Sequence, residues 1–370
     1  MHKDENKQYL SEQIITYIGN KRSLLTNIEK EVKKIIKKEK WDRVNIVDMF
    51  SGSGVVARML KKYSSDLTVN DLEEYSCLIN SCYLTNKEDF DENKYNQYKE
   101  LIEQKFESSK VCGIIAENYA PKDDKNIQKG ERVFYTRENA IRIDTYRKLI
   151  DEVEDEEYKK YFLAPLITEA SIHVNTSGVF KGFYKNKDTG IGAFGGKAGN
   201  ALQRIYGKVE LKQPVLSNFS SNIYIHQNDA VKLSKEIKNI DIAYLDPPYN
   251  QHPYGSNYFM LNLIIKNQMP DCEVSEVSGI PSDWNRSDFN KKNNALLSME
   301  EIIKSLDTKY FIISYNSEGF ISLKEMKDML KKYGKVDVRE INYNTFRGSR
   351  NLNNRDIYVS EYLFILKKEN

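Results

Sequence analysis

Cysteine and histidine are scarce in this chain, with four of each among 370 residues. The cysteines (Cys77, Cys82, Cys112 and Cys272) form no CxxC pair and no Cys/His cluster, which argues against a zinc site and favours a reducing compartment. No segment approaches 18 consecutive apolar residues, so no membrane-spanning helix is expected. Residues 1–7 are charged and lack the apolar core of a secretory signal. The composition predicts a cytoplasmic protein with no metal and no membrane partner.

The chain also has little net charge, +2 at pH 7, so its total charge does not indicate a nucleic-acid-binding protein. The charge is unevenly distributed, however. Residues 178–212 carry seven lysines and arginines against two acidic residues, a local net charge of +5, whereas residues 151–157 are almost wholly acidic. The basic segment predicts a contact with nucleic acid, and a solvated surface is the alternative interpretation. Its candidate DNA contacts are Lys181, Lys185, Lys187 and Lys197.

Short apolar runs alternate with helical patterns, which is typical of a parallel sheet covered by helices. The predicted strands are 44–50, 67–70, 223–226, 240–245, 310–314, 336–338 and 362–366. The predicted helices are 21–38, 55–62, 74–84, 230–237 and 323–333.

Roughly 150 residues separate the second predicted strand from the third, far more than a usual crossover connection. We therefore expect an inserted module over residues 85–220. It would divide a catalytic domain into an N-terminal part, residues 1–84, and a C-terminal part, residues 221–370. Residues 266–295 form a second long, polar connection, and the sequence leaves open whether this is a lid or a partner surface.

A glycine turn follows the first strand, in the run Asp48-Met-Phe50-Ser-Gly52-Ser-Gly54. Two glycines let the backbone run close to a ligand that lies over the carboxyl end of the strand. Asp71 ends the second strand, where an acidic side chain binds ribose hydroxyls. This pattern alone does not distinguish a nicotinamide dinucleotide from S-adenosylmethionine.

A second glycine turn lies upstream, in Tyr17-Ile-Gly-Asn-Lys21. A lysine before a helix can pair with an amino-acid carboxylate, which S-adenosylmethionine has and NAD lacks. An ordinary lysine in the first helical turn is the alternative.

The most informative run is Asp246-Pro247-Pro248-Tyr249, directly after the apolar strand 240–245. The prolines fix φ and leave neighbouring carbonyls free to accept hydrogen bonds. A carboxylate and a carbonyl that face one point can hold an exocyclic amino group, and a tyrosine ring can stack on a base. An ordinary strand-to-loop stop is the alternative, since Pro-Pro pairs are common in turns.

These motifs, with Asn70-Asp71 and Asn228-Asp229, occur in the order found in Dam-like DNA adenine-N6 methyltransferases of restriction–modification type, which the chain resembles from about residue 14 to 366. The resemblance implies the α/β fold of class I S-adenosylmethionine-dependent methyltransferases: a Rossmann-like, mostly parallel seven-stranded sheet with an antiparallel last strand and an inserted target-recognition domain. The implied substrate is a flipped-out adenine in duplex DNA, and a cognate restriction endonuclease is an implied functional partner.

Carried over by position, the resemblance assigns Tyr17 and Lys21 to the methionine end of S-adenosylmethionine, Asp71 to its ribose and Asp229 to its adenine. Phe50 and the Gly52–Gly54 turn should pack beside it. The full expected cofactor set is Tyr17, Lys21, Asp48, Phe50, Gly52, Gly54, Asp71, Asp229 and Asp246, and the expected catalytic set is Asp246, Pro247, Pro248 and Tyr249.

Other interpretations stay open at this point. The same fold could act on RNA adenine or on a protein glutamine amide, although amide transfer normally uses Asn where this chain has Asp246. An NAD-dependent oxidoreductase would account for the glycine turn alone, and a non-catalytic DNA-binding module would account for the basic segment. Arg347 and Arg350 precede the last strand and are candidates for phosphate contact, with a plain exposed loop as the alternative.

Overall fold

A single mixed sheet forms the centre of the structure, a computed structural model that describes residues 4–196, 199–344 and 358–369. Its strands are β1 (Val44–Asp48), β2 (Ser64–Asp71), β3 (Asn222–Gln227), β4 (Ile240–Leu245), β5 (Thr308–Asn316), β6 (Gly334–Asn344) and β7 (Tyr358–Lys368). All seven coincide with runs predicted from the sequence. The largest difference is in β6, because its antiparallel pairing with β7 continues well beyond the predicted residues 336–338.

The strands lie in the order β3-β2-β1-β4-β5-β7-β6. From β3 to β5 all neighbours are parallel, whereas β7 runs antiparallel to both β5 and β6. The predicted mostly parallel sheet with an antiparallel last strand is confirmed. The order reverses between β1 and β4, and open α/β sheets bind ligands at the carboxyl ends of the strands at such a point.

The helices of the described residues flank this sheet and fill the interval before β3. They are α1 (Lys7–Ser11), α2 (Leu25–Glu39), α3 (Val55–Leu60), α4 (Glu74–Tyr83), α5 (Glu92–Phe106), α6 (Ile114–Asn118), α7 (Arg137–Asp151), α8 (Glu156–Ile172), α9 (Leu202–Tyr206), α10 (Ala230–Glu236), α11 (Tyr254–Asn257), α12 (Phe259–Lys266), α13 (Lys292–Ser305) and α14 (Leu323–Leu330). Short 3₁₀ turns occupy Arg22–Leu24, Lys87–Asp89, Glu107–Ser109 and Asp288–Asn290.

Each helix predicted from the sequence is present, with ends within four residues of the prediction. Local capping explains several starts. The Asp229 side chain accepts a hydrogen bond from the Lys232 amide at the start of α10, and Ser322 with Glu325 forms a capping box at the start of α14. The predicted helix 21–38 begins instead with the 3₁₀ turn Arg22–Leu24, which leaves Lys21 in a non-helical conformation.

The two faces of the sheet pack against different helices because successive residues of a strand point to opposite sides. On β1, Ile46 packs with α2 and α3, whereas its neighbour Val47 packs with α10, α13 and α14. Ile242 and Ala243 divide in the same way on β4. Both faces of the central strands are therefore buried, which fixes the positions of their carboxyl ends.

The helices of residues 85–220 have a third core, which they share with helices outside this interval. Residues of α5, α7 and α8 form one buried cluster with α4 and α12. In α8 nearly every residue from Tyr161 to Ser171 is buried. Within residues 4–196, 199–344 and 358–369, no helix combines the length and the hydrophobicity that crossing a lipid bilayer requires.

Candidate active site

A cleft lies over the carboxyl ends of β1, β2 and β4, with an empty volume of about 820 Å³, part of which is open to solvent. Eight of the nine residues predicted to bind the cofactor line it together with Pro248: Tyr17, Lys21, Asp48, Phe50, Gly52, Asp71, Asp229 and Asp246. Gly54 sits behind this lining, at the start of α3. Pro247 is buried and Tyr249 is half-buried in the loop that follows β4. Tyr17 and Pro248, which are 231 positions apart in the sequence, thus line the same cleft.

The glycine turn after β1 requires glycine for reasons of space as well as of backbone conformation. Gly52 and Gly54 both have positive φ, +51° and +73°. A Cβ on Gly52 would lie 2.7 Å from Cε1 of Tyr17, and one on Gly54 would lie 2.6 Å from Oδ1 of Asn80. The Gly52 amide donates a hydrogen bond of 2.7 Å to Oδ2 of Asp71. The turn is therefore held closed by Asp71, the residue expected at the ribose, whose role there stays a prediction.

The turn at residues 17–20 is attached to the segment that follows Asp246-Pro-Pro-Tyr249. The Tyr17 ring stacks on Tyr254 and on Tyr258, with centroids 4.9 Å apart in each pair. The Tyr258 hydroxyl accepts a hydrogen bond from the Ile18 amide at 2.8 Å, and the Tyr254 hydroxyl donates to the Ile18 carbonyl at 3.1 Å. These contacts attach the turn at residues 17–20, which is expected at the cofactor, to the segment that follows the residues expected at the target base.

Lys21 is buried, and its ammonium group faces three oxygen acceptors. Nζ lies 2.8 Å from Oδ1 of Asp246, 3.4 Å from Oε1 of Glu361 and 2.9 Å from the Gly19 carbonyl. Burial disfavours the charged lysine, but the carboxylates of Asp246 and Glu361 outweigh it and hold the pKa of Lys21 well above its ordinary value. The expected pairing of Lys21 with a cofactor carboxylate stays a prediction, and it would require exchange of one of these acceptors.

Asp246 and Asp48 are two of the acidic residues that line the cleft. Burial raises the pKa of Asp246. The neighbouring Lys21 lowers this pKa, and Glu361 raises it further. Burial and the charge of Asp246 raise the pKa of Asp48 well above that of an exposed carboxyl. Asp48 is 1% exposed, and its Oδ2 has no hydrogen-bond partner among the described residues. A buried acceptor without a donor costs stability, so this oxygen is suited to a ligand's cationic or N–H group.

Several residues of the site carried no recognisable sequence signal. Asn285, Ser287 and Asn290, from the polar connection 266–295, line the cleft. Asn285 donates to the Leu72 carbonyl at 3.1 Å, and Asn290 donates to the Asn250 carbonyl at 2.8 Å. This part of the connection therefore packs over the cleft and is attached to both of its sides.

Among the candidate DNA contacts that the structure describes, Lys181 is the one that lies beside the loop that follows β4. Its Nζ lies 3.4 Å from Nδ1 of His252. The neighbouring Phe180 amide donates to the Asn257 carbonyl at 2.8 Å, which anchors this part of the insert to α11. Lys185 and Lys187 are exposed in the turn that follows. Lys197, Arg347 and Arg350 lie outside the described residues.

The sheet order, the antiparallel β7 and the cleft over β1, β2 and β4 define a class I methyltransferase fold. Residues 17–329 match the sequence model of the D12 class N6 adenine-specific DNA methyltransferases, and the chain belongs to that family. Membership confirms the predicted enzyme class and implies S-adenosylmethionine-dependent chemistry. It also decides between the alternatives, because the family acts on DNA adenine rather than on RNA, a glutamine amide or NAD.

The chain is similar over nearly its whole length to named restriction–modification enzymes. It is 29% identical to the type II methyltransferase M.NlaIII of Neisseria lactamica, over 96% of this chain and 99% of that protein. It is 30% identical to the type II methyltransferase M.CviAII of Paramecium bursaria Chlorella virus 1, over 95% and 98% respectively. It is 27% identical to the modification methylase StsI of Streptococcus sanguinis, of which it covers 52%.

The described residues contain no group of three or more His, Cys, Asp and Glu side chains that could hold a metal ion.

Proposed function

We propose that the chain transfers a methyl group from S-adenosylmethionine, bound in the cleft, to N6 of an adenine flipped out of duplex DNA. The observation that carries the proposal is the placement of Asp246, at the tip of β4, on the wall of the same cleft as the glycine turn and Asp71. A methyl donor bound at the glycine turn and an acceptor amine bound at Asp246 would meet over the carboxyl end of β4.

The residues of the cleft fit S-adenosylmethionine. Asp48 offers a buried carboxylate oxygen without a partner, which suits the α-ammonium group of a methionine moiety. Asp71 and Asp229 lie farther along the cleft, at the ends of β2 and β3, where they suit ribose hydroxyls and an adenine amino group. When bound, this cofactor supplies an electrophilic methyl group on a sulfonium.

The chain's own contribution is to orient the target amine. Adenine N6 is a poor nucleophile because its lone pair is delocalised into the ring. We propose that the Asp246 carboxylate and the Pro247 carbonyl accept hydrogen bonds from the two amino protons, which favours a pyramidal nitrogen with its lone pair pointing away from them. Pro248 makes this corner rigid. Acceptors fixed where positive charge develops in a dry site act more strongly than they would in water.

The target base must leave the duplex to reach this corner, at a cost of a few kcal/mol. We propose that Tyr249 stacks on the extruded ring, an interaction worth about 1–3 kcal/mol. Its pKa is raised by burial, so its hydroxyl stays neutral at physiological pH. His252 lies three residues further and is proposed as a polar neighbour of the base rather than as a general base, since the proton of the methylated amine can leave to solvent.

We assign target recognition to residues 85–220. Support comes from the basic segment 178–212 and from the attachment of residues 180 and 181 to the catalytic loop. Through this attachment, residues 85–220 would be connected to the loop that is proposed to hold the target adenine. The similarity to type II methyltransferases further supports a role as the modification half of a restriction–modification pair, with a restriction endonuclease as the functional partner.

Incubation of the protein with methyl-labelled S-adenosylmethionine and mixed-sequence duplex DNA tests the proposal. We expect label in N6-methyladenine after nucleoside analysis, and none in cytosine. Duplex DNA should compete better than structured RNA. Label in RNA alone, or no labelled adenine from a correctly folded protein that binds S-adenosylhomocysteine, would contradict the proposal.

Lys181→Ala should weaken DNA binding without affecting the cofactor. A lysine that pairs with a phosphate contributes about one unit to the slope of log affinity against log salt concentration, so the variant's slope should fall by about 1. Fluorescence anisotropy with labelled duplex at several salt concentrations measures this slope. Lys324→Ala, at a highly exposed lysine of α14, is the matched control and should leave the slope unchanged. An unchanged slope in Lys181→Ala would remove this residue from the DNA interface.

A further inference from the structure

Glu361 is a buried glutamate beside the catalytic corner that neither the sequence motifs nor the family match includes. It lies on β7, is 1% exposed, and falls beyond the matched residues 17–329. A buried carboxylate is costly unless it is paired and hydrogen-bonded. The groups around Glu361 therefore indicate why a carboxylate is buried at this position.

The antiparallel register of β5 and β7 places Glu361 opposite Asn316. The Ser314 hydroxyl donates to Oε1 of Glu361 at 2.5 Å, and the Asn316 side chain donates to Oε2 at 3.2 Å. Both donors are themselves buried. These hydrogen bonds fix the position of Glu361 on rigid strands, with Oε1 directed toward Lys21 at 3.4 Å.

We propose that Glu361 is a positioning residue for methyl transfer: it shares the Lys21 ammonium with Asp246 and so holds the Asp246 carboxylate in place while leaving it able to accept hydrogen bonds from the target amine. The inference rests on the proposed function. Without Glu361, Asp246 would be the one carboxylate beside the ammonium, with the Gly19 carbonyl as the other acceptor, and the ammonium would compete more strongly with the substrate for Asp246. The Glu361 carboxylate, on β7 and hydrogen-bonded to Ser314 and Asn316 of β5, takes up part of the ammonium's interactions.

The charges around Asp246 give the inference a measurable consequence. Burial raises the pKa of Asp246, Lys21 lowers it, and Glu361 raises it. The other titratable groups that interact with Asp246 are Asp48 on β1, Tyr244 on β4, Tyr249 in the loop after β4, and Tyr254 on α11, all with raised pKa values. Replacing Glu361 by neutral Gln removes a negative charge that favours the protonated form of Asp246. The pKa of Asp246 should then fall.

The test compares Glu361→Gln with wild-type protein in two measurements. In the first, the rate of DNA methylation is measured against pH. Activity needs the ionised Asp246, so it rises with pH through the pKa of this group, and in Glu361→Gln this rise should move to lower pH. The plateau kcat should fall about tenfold, the equivalent of one lost charge-assisted hydrogen bond. The KM values for DNA and S-adenosylmethionine should change little.

The second measurement needs no activity. Protein labelled with ¹³C at the aspartate carboxyl carbons is titrated by NMR, and the Asp246 signal is assigned by its absence from Asp246→Asn. The pKa of Asp246 should be lower in Glu361→Gln than in wild type. Glu361→Asp keeps the charge, so it should restore the position of the pH profile even if kcat stays low. Glu340→Gln, at an exposed glutamate on β6, is the matched control and should change neither measurement.

An unmoved pH profile with an unmoved Asp246 pKa in folded Glu361→Gln would overturn the inference while leaving the proposed function intact. If Glu361→Gln does not fold, Ser314→Ala replaces it, because this variant loosens Glu361 without changing its charge. The kcat of Ser314→Ala should fall severalfold with no shift of its pH profile. A kcat equal to that of the wild type would overturn the inference. Absence of N6-methyladenine from the wild-type reaction would instead overturn the proposed function, and the inference with it.

Discussion

Asp246→Ala should lower kcat for DNA methylation by about 10²–10³-fold. By analogy with donors in oxyanion holes, loss of one fixed hydrogen-bonding group that meets developing charge costs roughly 3–4 kcal/mol of barrier. Asp246→Asn should fall between this variant and the wild type, since an amide oxygen can still accept one hydrogen bond but carries no charge. Single-turnover methylation of a duplex that contains the recognition site measures the chemical step directly.

The loss in Asp246→Ala should not result from unfolding. Lys21 keeps Glu361 and the Gly19 carbonyl as partners, so its charge stays paired. Asp241→Ala is the matched control on the same strand, because Asp241 lies near the opposite end of β4, where it accepts a hydrogen bond from the Asn45 amide. This variant should retain wild-type kcat. Equal loss in both variants would indicate damage to the strand instead of to the chemistry.

Asp48→Asn should make the free protein more stable and its binding of the cofactor weaker. The pKa of Asp48 is raised in the folded state, so the folded protein holds a proton that the unfolded chain releases above its ordinary pKa of about 3.9. The contribution of Asp48 to the free energy of unfolding therefore declines as pH rises from that value through the folded-state pKa. Asparagine is neutral throughout, so its advantage should appear at neutral pH, on the order of 1–3 kcal/mol, and vanish in acid.

The same change removes the carboxylate proposed to meet the α-ammonium group of the methionine moiety. The Kd for S-adenosylhomocysteine should rise roughly tenfold or more, the effect of losing a hydrogen bond between charged groups. Denaturant unfolding at pH 4 and pH 8, together with calorimetric titration of S-adenosylhomocysteine, measures both effects. Unchanged stability with unchanged affinity would assign Asp48 to the framework of the glycine turn and not to the ligand.

The central sheet was predictable because its strands are short apolar runs bounded by polar residues, and because parallel strands buried on both faces need such runs. Because the apolar runs locate the strands, they also locate the carboxyl end of each strand. Asp48 and Asp71 are the last residues of β1 and β2, and Asp246 directly follows β4, so the sheet had to bring them to one edge. The helices of the inserted segment were not predicted, and α8 shows why. It is buried nearly all round, so it lacks the one-sided hydrophobic pattern by which a surface helix is recognised.

Glu361 and the residues near 285–290 could not be predicted for a different reason. The pairing of Glu361 with Ser314 and Lys21 depends on the register of β5 and β7, and a slip of one residue would turn its side chain to the other face. Asn285 and Asn290 reach the cleft through a long connection without regular structure, where no periodicity relates sequence to position. The acceptors of Lys21 come from residues 19, 246 and 361, which are distant in the sequence. No sequence pattern therefore predicts that they surround one ammonium group.

Modification-sensitive sequencing of genomic DNA from a host that expresses the chain shows whether the protein methylates adenine at N6 through Asp246. We expect N6-methyladenine at one short sequence motif throughout the genome with the wild-type protein, and loss of that mark with Asp246→Ala produced at the same level. A genome without motif-specific adenine methylation, or an Asp246→Ala host with undiminished methylation, would contradict this expectation.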